Sequence, residues 1–335
     1  MRDQFGRSIT YLRLSLTDRC NLRCRYCMPE EGIQKLAHAE ILTFDEILRT
    51  VRALARLGVR KVRLTGGEPL VRRGIVDLAR EIRAVPGVET LAITTNGVGL
   101  TELAEPLVRA GVTAFNISLD TLSAGAFEQI TRRDALAQVK QGIRALEQAE
   151  SLSEKGLAIK FNCVPMRGVN ELELVELVRH LAGEKPYAVR FIELMPIGCA
   201  RRAGLKGIPM REVRERLERF FGTLHPVARA GETDGPAVMY RADGIVGTIG
   251  FIDALEHKFC SECNRVRLTA DGFLKLCLNA KTGISVKSML RGGADGEALY
   301  HSLRRAIYEK PEEHFFAAAG DYAARDTRAM VQVGG

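Results

Sequence analysis

Short runs of β-branched and apolar residues alternate with amphipathic segments over residues 1–205, and this alternation constrains the fold more than any other feature. Six candidate strands lie near residues 10–16, 59–65, 88–95, 112–119, 158–164 and 187–194. Alternating strands and helices predict an α/β fold in which helices cover a parallel sheet. Six such units fit a flat doubly wound sheet or a complete or partial barrel, and periodicity does not choose between them. In each case the reactive loops follow the carboxyl ends of the strands.

Two segments between these strands have clear helical periodicity. The first spans residues 44–57, where Thr43 and Glu46 have the spacing of a capping box and Gly58 marks the end. The second lies near residues 171–182, where apolar side chains recur at helical spacing: Leu172, Val175, Leu177, Val178 and Leu181.

The pattern changes after residue 205. Residues 223–277 read as short strands separated by turns at Asp243-Gly244 and Asp271-Gly272, and a helix is predicted near 295–310. We therefore divide the chain into a repeat unit, residues 1–205, and a C-terminal lobe, residues 206–335.

Composition limits the classes of protein to which the chain belongs. The net charge of +8 comes from 49 basic and 41 acidic residues, which favours an anionic ligand. The basic residues are dispersed, so nucleic-acid binding is the less favoured explanation. No apolar run approaches membrane-span length and no secretory signal is visible, so we expect a cytoplasmic protein that does not use a membrane. In a reducing compartment the eight cysteines are metal ligands or buried thiols rather than disulfides.

Three cysteines occupy the loop after the first strand. Cys20, Cys24 and Cys27 have the spacing CxxxCxxC. A cubic iron–sulfur cluster usually takes four thiolates, so three leave one iron open for chemistry. A zinc knuckle or a redox cysteine cluster is the alternative interpretation.

A second group of three cysteines lies in the C-terminal lobe. Cys260, Cys263 and Cys277, taken alone, favour structural zinc, because His257 supplies a fourth ligand. Paired with the first group, they favour a second iron–sulfur cluster, and His257 remains a competing ligand.

Other motifs suggest an organic ligand. The Gly66-Gly67-Glu68-Pro69 loop follows the second strand and could bring backbone and a carboxylate close to an ammonium group. Thr94 and Ser118 end later strands, where small polar groups either fix a nucleoside or cap the next helix. Arg265 and Arg267 share one face of a strand and suit forked phosphate contacts. Basic residues within otherwise apolar strands extend this pattern to a polyanion pocket: Arg13, Arg63 and Lys160.

Together these motifs resemble the radical S-adenosylmethionine (SAM) superfamily. Asp18-Arg19-Cys20-Asn21, the second cysteine group with Asn264-Arg265-Val266-Arg267, and the Gly334-Gly335 terminus resemble one branch, the GTP 3′,8-cyclases of molybdenum-cofactor biosynthesis. The resemblance implies a partial (β/α)6 TIM-type barrel whose open side is covered by a C-terminal lobe. It also implies two [4Fe–4S] clusters, one held by Cys20, Cys24 and Cys27 and the other by Cys260, Cys263 and Cys277.

The resemblance further implies a role for each matching residue. SAM would contact Tyr26, Gly66, Gly67, Glu68, Ser118 and Met195. GTP would contact Arg13, Arg63, Thr94, Lys160, Arg265, Val266 and Arg267. The catalytic set would comprise Arg13, Arg265, Arg267, Gly334 and Gly335. For the two glycines our own hypothesis is that they reach into the site, because a segment without side chains fits a narrow cavity.

The implied reaction is a radical cyclisation. A 5′-deoxyadenosyl radical from SAM would remove the hydrogen at ribose carbon 3′ of GTP, and the carbon radical would attack guanine carbon 8. The implied partners are a low-potential electron donor and a downstream cyclic pyranopterin monophosphate synthase, and a homodimer is expected.

Two other functions stay open at this point. The chain could be a radical SAM enzyme with an auxiliary cluster that acts on a peptide or another small molecule. A zinc-stapled nucleic-acid-binding protein is the non-enzymatic alternative, and it predicts zinc rather than iron.

Overall fold

The computed structural model describes residues 1–154, 156–201, 203–228, 235–255, 259–314, 326 and 328–334. In these ranges twelve strands form one sheet. The strands are β1 (Tyr11–Ser15), β2 (Lys61–Thr65), β3 (Thr90–Thr95), β4 (Val112–Ser118), β5 (Ala158–Cys163), β6 (Ala188–Ile192), β7 (His225–Val227), β8 (Val238–Arg241), β9 (Thr248–Ile252), β10 (Arg265–Leu268), β11 (Phe273–Lys275) and β12 (Gly283–Ser285). The helices are α1 (Phe44–Arg56), α2 (Ile75–Arg83), α3 (Leu100–Arg109), α4 (Ala124–Thr131), α5 (Leu136–Ala149), α6 (Leu174–Ala182), α7 (Met210–Phe221), α8 (Val286–Arg291), α9 (Gly296–Tyr308) and α10 (Met330–Val333).

The first six strands are parallel and neighbour one another in chain order. With their crossover helices they form the predicted partial (β/α)6 barrel, and the fold prediction is confirmed. At one edge β10 pairs in parallel with β1, and at the other β9 pairs in parallel with β6. Strands from the C-terminal part therefore continue the same sheet at both edges, and the division at residue 205 stays a prediction.

The strands separate apolar from basic side chains. Leu12 and Leu14 of β1 are fully buried in the core between sheet and helices, whereas Tyr11 and Arg13 line the barrel interior. Successive side chains of a strand point to opposite faces, so one strand serves the core and the cavity at once.

Helix α1 confirms the predicted start. The Thr43 hydroxyl accepts from the Glu46 amide at 3.2 Å, and Glu46 accepts from the Thr43 amide at 2.8 Å. These two bonds satisfy amide groups that the first helical turn leaves without a partner.

Helix α6 begins later than the predicted start near residue 171. The helix begins at Leu174, and Leu172 is 84% exposed. The Asn170 side chain donates to the carbonyl oxygens of Asp120 and Val164 and accepts from the Met166 amide. Such side-chain bonds to backbone compete with helix formation, so the chain stays in a turn until residue 173.

Within the described ranges, no helix has both the length and the apolar character needed to cross a membrane.

Candidate active site

One cavity occupies the barrel interior, with a volume of about 330 Å³. Both cysteine groups, the Gly66-Gly67-Glu68-Pro69 loop and the inward-facing basic residues contribute to its lining. Motifs that lie more than 200 residues apart in the chain therefore face the same space.

The loop after β1 gathers the first three thiols. Burial, followed by the nearby Glu68 carboxylate, raises the pKa of Cys20 to about 11. Burial and the neighbouring thiols also raise the pKa values of Cys24 and Cys27. The Cys20 Sγ accepts from the Leu22 amide at 3.4 Å and from Asn96 Nδ2 at 3.9 Å. These thiols need a nearby cation to become thiolates, as iron ligation would provide.

Two glycines let the loop after β2 approach this first cysteine loop. A Cβ at Gly66 would lie 2.6 Å from the Thr17 carbonyl oxygen, and one at Gly67 would lie 2.2 Å from that of Arg19. Neither distance is possible for a real side chain, so only glycine fits at both positions.

Glu68 is 1% exposed and is already engaged by the protein. Its carboxylate accepts from the amides of Leu70 and Asn96 and from the hydroxyl of Thr95, at 3.0, 2.7 and 2.7 Å. Burial nevertheless raises its pKa to about 7. Glu68 therefore fixes the end of β3, and direct contact with an ammonium group stays a prediction.

Tyr26 joins the first cysteine loop to the end of β4. Its hydroxyl donates to Asp120 Oδ2 at 2.7 Å, and Asp120 Oδ1 accepts from the Val164 amide at 2.8 Å. Ser118 and Met195 line the same cavity. The predicted SAM-contacting residues are thus brought together.

Basic side chains from five strands form one surface, which we call the cationic wall: Arg13, Lys61, Arg63, Lys160, Arg190, Arg265 and Arg267. Arg13 lies in register with Arg267 on one side and with Arg63 on the other. Burial, followed by the neighbouring cations, lowers the pKa of Arg13 to about 10 and that of Arg267 below its usual range. Like charges directly opposite one another destabilise a sheet, so this wall is suited to a multivalent anion.

Lys61 and Arg190 of this wall, and Tyr11 next to them in the cavity lining, were not predicted from the sequence. Arg190 Nη2 donates to Asn162 Oδ1 at 2.7 Å, and burial lowers its pKa to about 9. The signal was present, since Arg190 interrupts an apolar strand in the same way as Arg63.

Thr94 and Val266, both predicted to contact GTP, differ in whether their side chains face the cavity. Thr94 accepts from Arg63 Nη1 at 3.3 Å and lines the cavity. Val266 is fully buried in the core on the other face of β10. Because strand side chains alternate, only its backbone is available on the cavity side.

The second group of thiols has a cationic environment. Burial raises the pKa of Cys263, but Lys310 and Arg265 outweigh it and lower the pKa to about 6. Cys260 and Cys277 also line the cavity, and burial raises the pKa of Cys260.

Residues 310–314 support this second group. Arg7 donates to the carbonyl oxygens of Cys260, at 2.9 Å, and Pro311, at 2.7 Å. Lys310 is 2% exposed and its ammonium donates to the carbonyl oxygen of Leu276, next to Cys277. His314 contacts the Ala254 carbonyl oxygen at 2.8 Å. Nothing in the sequence pattern linked these residues to the cysteines.

The C-terminal tail, residues 328–334, contributes Met330 and Val331 to the lining of the cavity. Met28, Ala329 and Val331 form a small apolar cluster, which seats the tail against the first cysteine loop. The Gly334 carbonyl oxygen accepts from Arg267 Nη1 at 2.7 Å. His257 and Gly335 lie outside the described residues.

The donor sets fit the predicted clusters. A [4Fe–4S] cluster gives each thiolate its own iron, and each cysteine group presents three thiols to the shared cavity. Among the residues that the structure describes, no three His, Cys, Asp or Glu side chains are arranged to hold a single metal ion.

Family models and known proteins agree with this geometry. Residues 14–181 match the radical SAM superfamily, and residues 187–316 match the family described as Molybdenum Cofactor Synthesis C. The solved structure of Streptococcus suis SuiB bound to S-adenosylmethionine has a TM-score of 0.60 at 14% identity, covering 90% of this chain and 68% of that one. At that identity the likeness concerns the fold alone.

Curated relatives are much more similar in sequence. The GTP 3′,8-cyclase of Moorella thermoacetica is 45% identical over 335 residues, covering all of both chains. That of Geobacter sulfurreducens is 43% identical over 333 residues, covering 99% of both. Bos taurus molybdenum cofactor biosynthesis protein 1 is 42% identical over 315 residues, which are 94% of this chain and 48% of that protein. The chain belongs to the GTP 3′,8-cyclase family of the radical SAM superfamily.

Proposed function

We propose that this protein converts GTP to 3′,8-cyclo-GTP for molybdenum-cofactor biosynthesis, with SAM and two [4Fe–4S] clusters as cofactors. The observation that carries the proposal is the cationic wall between two groups of three thiols in one cavity. A peptide substrate would not need seven basic groups around one space, whereas a nucleoside triphosphate does.

The first cysteine loop is the proposed SAM site. Cys20, Cys24 and Cys27 would hold a [4Fe–4S] cluster, and the residues predicted to contact SAM are Tyr26, Gly66, Gly67, Glu68, Ser118 and Met195. When bound, SAM and the reduced cluster supply the 5′-deoxyadenosyl radical that removes the ribose 3′ hydrogen. The close approach of the glycine loop and the engaged Glu68 carboxylate keep the end of β3 fixed beside this site.

The cationic wall is the proposed site of the triphosphate. Guanidiniums in register on three neighbouring strands, Arg267, Arg13 and Arg63, offer forked donors along one line. Holding the triphosphate there fixes the ribose between the two cysteine groups, and such fixed geometry supplies much of the rate that an enzyme gives to a reactive cofactor.

The second cysteine group is the proposed site of the guanine. Cys260, Cys263 and Cys277 would hold the second [4Fe–4S] cluster, which would supply an open coordination position for the base. Phe259 and Arg265 stand beside it, with the guanidinium 4.9 Å from the ring centroid. Gly334 and Gly335 complete the site from the C-terminal tail.

An anaerobic turnover assay tests the function. Protein reconstituted with iron and sulfide is incubated with SAM, a strong reductant and GTP, and the products are separated and weighed by mass spectrometry. We expect 5′-deoxyadenosine to accumulate with GTP, together with an isomer of GTP that carries the new carbon–carbon bond. If 5′-deoxyadenosine forms and GTP stays intact, the radical chemistry is right and the substrate is wrong.

Arg267→Gln and Arg304→Gln provide matched variants. Each removes one guanidinium, but Arg304 lies on the exposed side of α9. We expect the isomer to be lost in the first variant and retained in the second. Metal analysis of the same samples should find iron, whereas zinc would support the alternative of a zinc-stapled nucleic-acid-binding protein.

The proposed partners follow from the reaction. A low-potential electron donor reduces the first cluster, and a cyclic pyranopterin monophosphate synthase consumes the product. A homodimer and a cytoplasmic location complete the proposal.

A further inference from the structure

Tyr11 lies inside the cationic wall, although the proposed reaction gives it no role. It is 3% exposed and lines the cavity from β1, two residues before Arg13. Its register neighbours are Lys61 on β2 and Arg265 on β10. An acidic hydroxyl is thus set among cations on both adjacent strands.

The contacts of Tyr11 are those of an anion. Its Oη accepts a hydrogen bond from Arg63 Nε and also hydrogen-bonds Arg13. The Lys61 ammonium lies 5.3 Å from the ring centroid and the Arg63 guanidinium lies 5.7 Å from it. A phenol oxygen that faces two guanidiniums is stabilised when it loses its proton.

The charges around Tyr11 act in one direction. Burial raises the pKa of Tyr11, but Arg63, Arg13 and Lys61 outweigh it and lower the pKa to about 7. Tyr11 in turn raises the pKa values of Arg13, Arg190 and Arg267 against the effect of burial. Cations on the strand of Tyr11 and on its two neighbouring strands face the phenol: Arg13 on β1, Lys61 and Arg63 on β2, and Arg265 and Arg267 on β10. Arg190 on β6 also interacts with Tyr11.

We propose that Tyr11 balances the cationic wall as a phenolate before nucleotide binds, and that it takes up a proton when a triphosphate binds. The triphosphate brings several negative charges to the guanidiniums that stabilise the phenolate. A proton from solvent then forms the O–H bond on Oη, and Arg63 becomes available to the ligand. Tyr11 is therefore a positioning residue, which holds Arg63 in place until the substrate replaces it. This inference rests on the proposed function, since it takes the triphosphate as the ligand.

Proton uptake makes binding depend on pH. Above the pKa of Tyr11 each ligand bound requires one proton, so affinity falls by up to tenfold for each unit of pH. Below that pKa Tyr11 is already protonated and this contribution disappears. Tyr11→Phe removes the dependence and leaves the shape of the ring unchanged.

The test uses the near-ultraviolet band of phenolate in reconstituted holoenzyme. The chain has seven tyrosines and no tryptophan, so a single phenolate is visible as a difference between wild type and Tyr11→Phe. Spectra are recorded from about pH 6 to about pH 9, since an ordinary tyrosine titrates near pH 10. At about pH 8 inorganic tripolyphosphate is then added, with its binding followed by calorimetry in buffers of different ionisation enthalpy.

We expect a phenolate that appears near neutral pH, disappears on addition of tripolyphosphate and is missing from Tyr11→Phe. Calorimetry should show proton uptake in wild type that exceeds the uptake in the variant. Tyr308→Phe is the matched control, because Tyr308 is 55% exposed and does not line the cavity. It should leave both signals unchanged.

Two results would overturn the inference. One is the lack of a phenolate in the difference between wild type and Tyr11→Phe, and the other is a phenolate that persists while calorimetry shows tripolyphosphate bound. A phenolate at neutral pH with no binding of tripolyphosphate or GTP would instead overturn the proposed substrate, and the proton uptake with it.

Discussion

Arg267 Nη1 donates to the carbonyl oxygen of Gly334 at 2.7 Å. This bond links β10 to the last residue that the structure describes at the C-terminus. A Cβ at Gly334 would lie 2.9 Å from Thr65 Oγ1 and 3.3 Å from the Ser15 Cβ, at the carboxyl ends of β1 and β2. Gly334 therefore lies at the carboxyl ends of the barrel strands that line the proposed site.

The Gly334→Ala substitution should strongly reduce cyclisation of GTP. Gly334 has a φ of +77°, and the added methyl group meets Thr65 and Ser15, so the tail cannot keep its place. Gly293→Ala is the matched control, since Gly293 has a φ of +88° but open space around its Cβ. Both variants carry backbone strain of about 1–2 kcal/mol. Equal product yields from the two variants would show that the tail position does not matter.

Asp326 anchors the tail, and Asp326→Asn should release it. The side chains of Asp326 and Lys275 are 4% and 0% exposed, and they form an ion pair, while Arg328 Nη2 donates to Asp326 Oδ2 at 2.8 Å. Removing one member of a buried pair costs about 3–5 kcal/mol, because the other charge stays buried without its partner. We expect faster proteolysis of the tail and slower turnover in the variant.

The loss of stability should be smaller when both charges of the Lys275–Asp326 pair are removed together. The double variant Lys275→Met with Asp326→Asn leaves no buried cation unpaired, so the tail should resist proteolysis better than in Asp326→Asn alone. If the single variant already keeps the tail as resistant as in wild type, the ion pair is not the anchor.

The parts of the fold that depend on local pattern could be predicted from the sequence. The alternation of apolar strands and amphipathic helices gave β1 to β6 close to their observed bounds, and the Thr43–Glu46 box gave the start of α1. Pairing of β10 with β1 could not be predicted, because nothing local in either strand specifies a neighbour more than 240 residues away. The predicted start of α6 was wrong for the same reason, since the Asn170 side chain donates a hydrogen bond to the carbonyl oxygen of Asp120, which is distant in the sequence.

The residues of the candidate site were likewise predicted where their signal is local in the sequence, and they were missed where only the fold brings them together. Cys20, Cys24 and Cys27 are close in sequence, and their spacing favoured an iron–sulfur cluster over a zinc knuckle or a redox cysteine cluster. Lys310 and His314 follow the second cysteine group by more than thirty residues, and only the fold brings them to it. Tyr11 was missed because a tyrosine in an apolar strand looks like an ordinary core residue.

Arg190→Gln should weaken GTP binding more than it slows chemistry. The guanidinium belongs to the cationic wall, where burial and the nearby Arg63 and Arg13 lower its pKa, so under the proposed function its loss removes a phosphate contact. A charged hydrogen bond contributes about 1.5–3 kcal/mol, which predicts a rise in KM of about tenfold or more. Steady-state kinetics with varied GTP measures it.

Arg190→Lys separates charge from geometry at the same position. It keeps the charge but loses the fork that meets two phosphate oxygens, so KM should lie between wild type and Arg190→Gln. A fall in kcat with unchanged KM in Arg190→Gln would contradict the assignment.

Glu193 gives the stability of the protein a pH dependence that Glu193→Gln should remove. Its carboxylate accepts from the amides of Ala254 and Leu255, at 3.0 and 2.7 Å. Burial raises its pKa from 4.5 to about 7, and the neighbouring Asp253 adds to the rise. Between these two pH values the folded protein binds more protons at this group than the unfolded chain, so its contribution to stability is lost as pH rises through about 7. Denaturant midpoints of wild type should therefore fall more steeply than those of Glu193→Gln over this range, and parallel curves would rule the effect out.

Lys310→Met should make the second cluster harder to reduce. Lys310 is buried beside Cys277, and its positive charge lowers the pKa values of Cys260 and Cys263. A nearby cation favours the form of a cluster with the extra electron, so its removal shifts the reduction potential to more negative values. Cys20 and Cys24 have Glu68 and Asp120 as charged neighbours instead, so the first cluster should keep its potential. Redox titrations followed by electron paramagnetic resonance distinguish the two clusters.

Lys281→Met removes an exposed lysine four residues after Cys277 and serves as the control. If both lysine variants shift the second potential equally, the effect comes from overall charge, and if Lys310→Met leaves it unchanged, the ammonium does not act on the cluster.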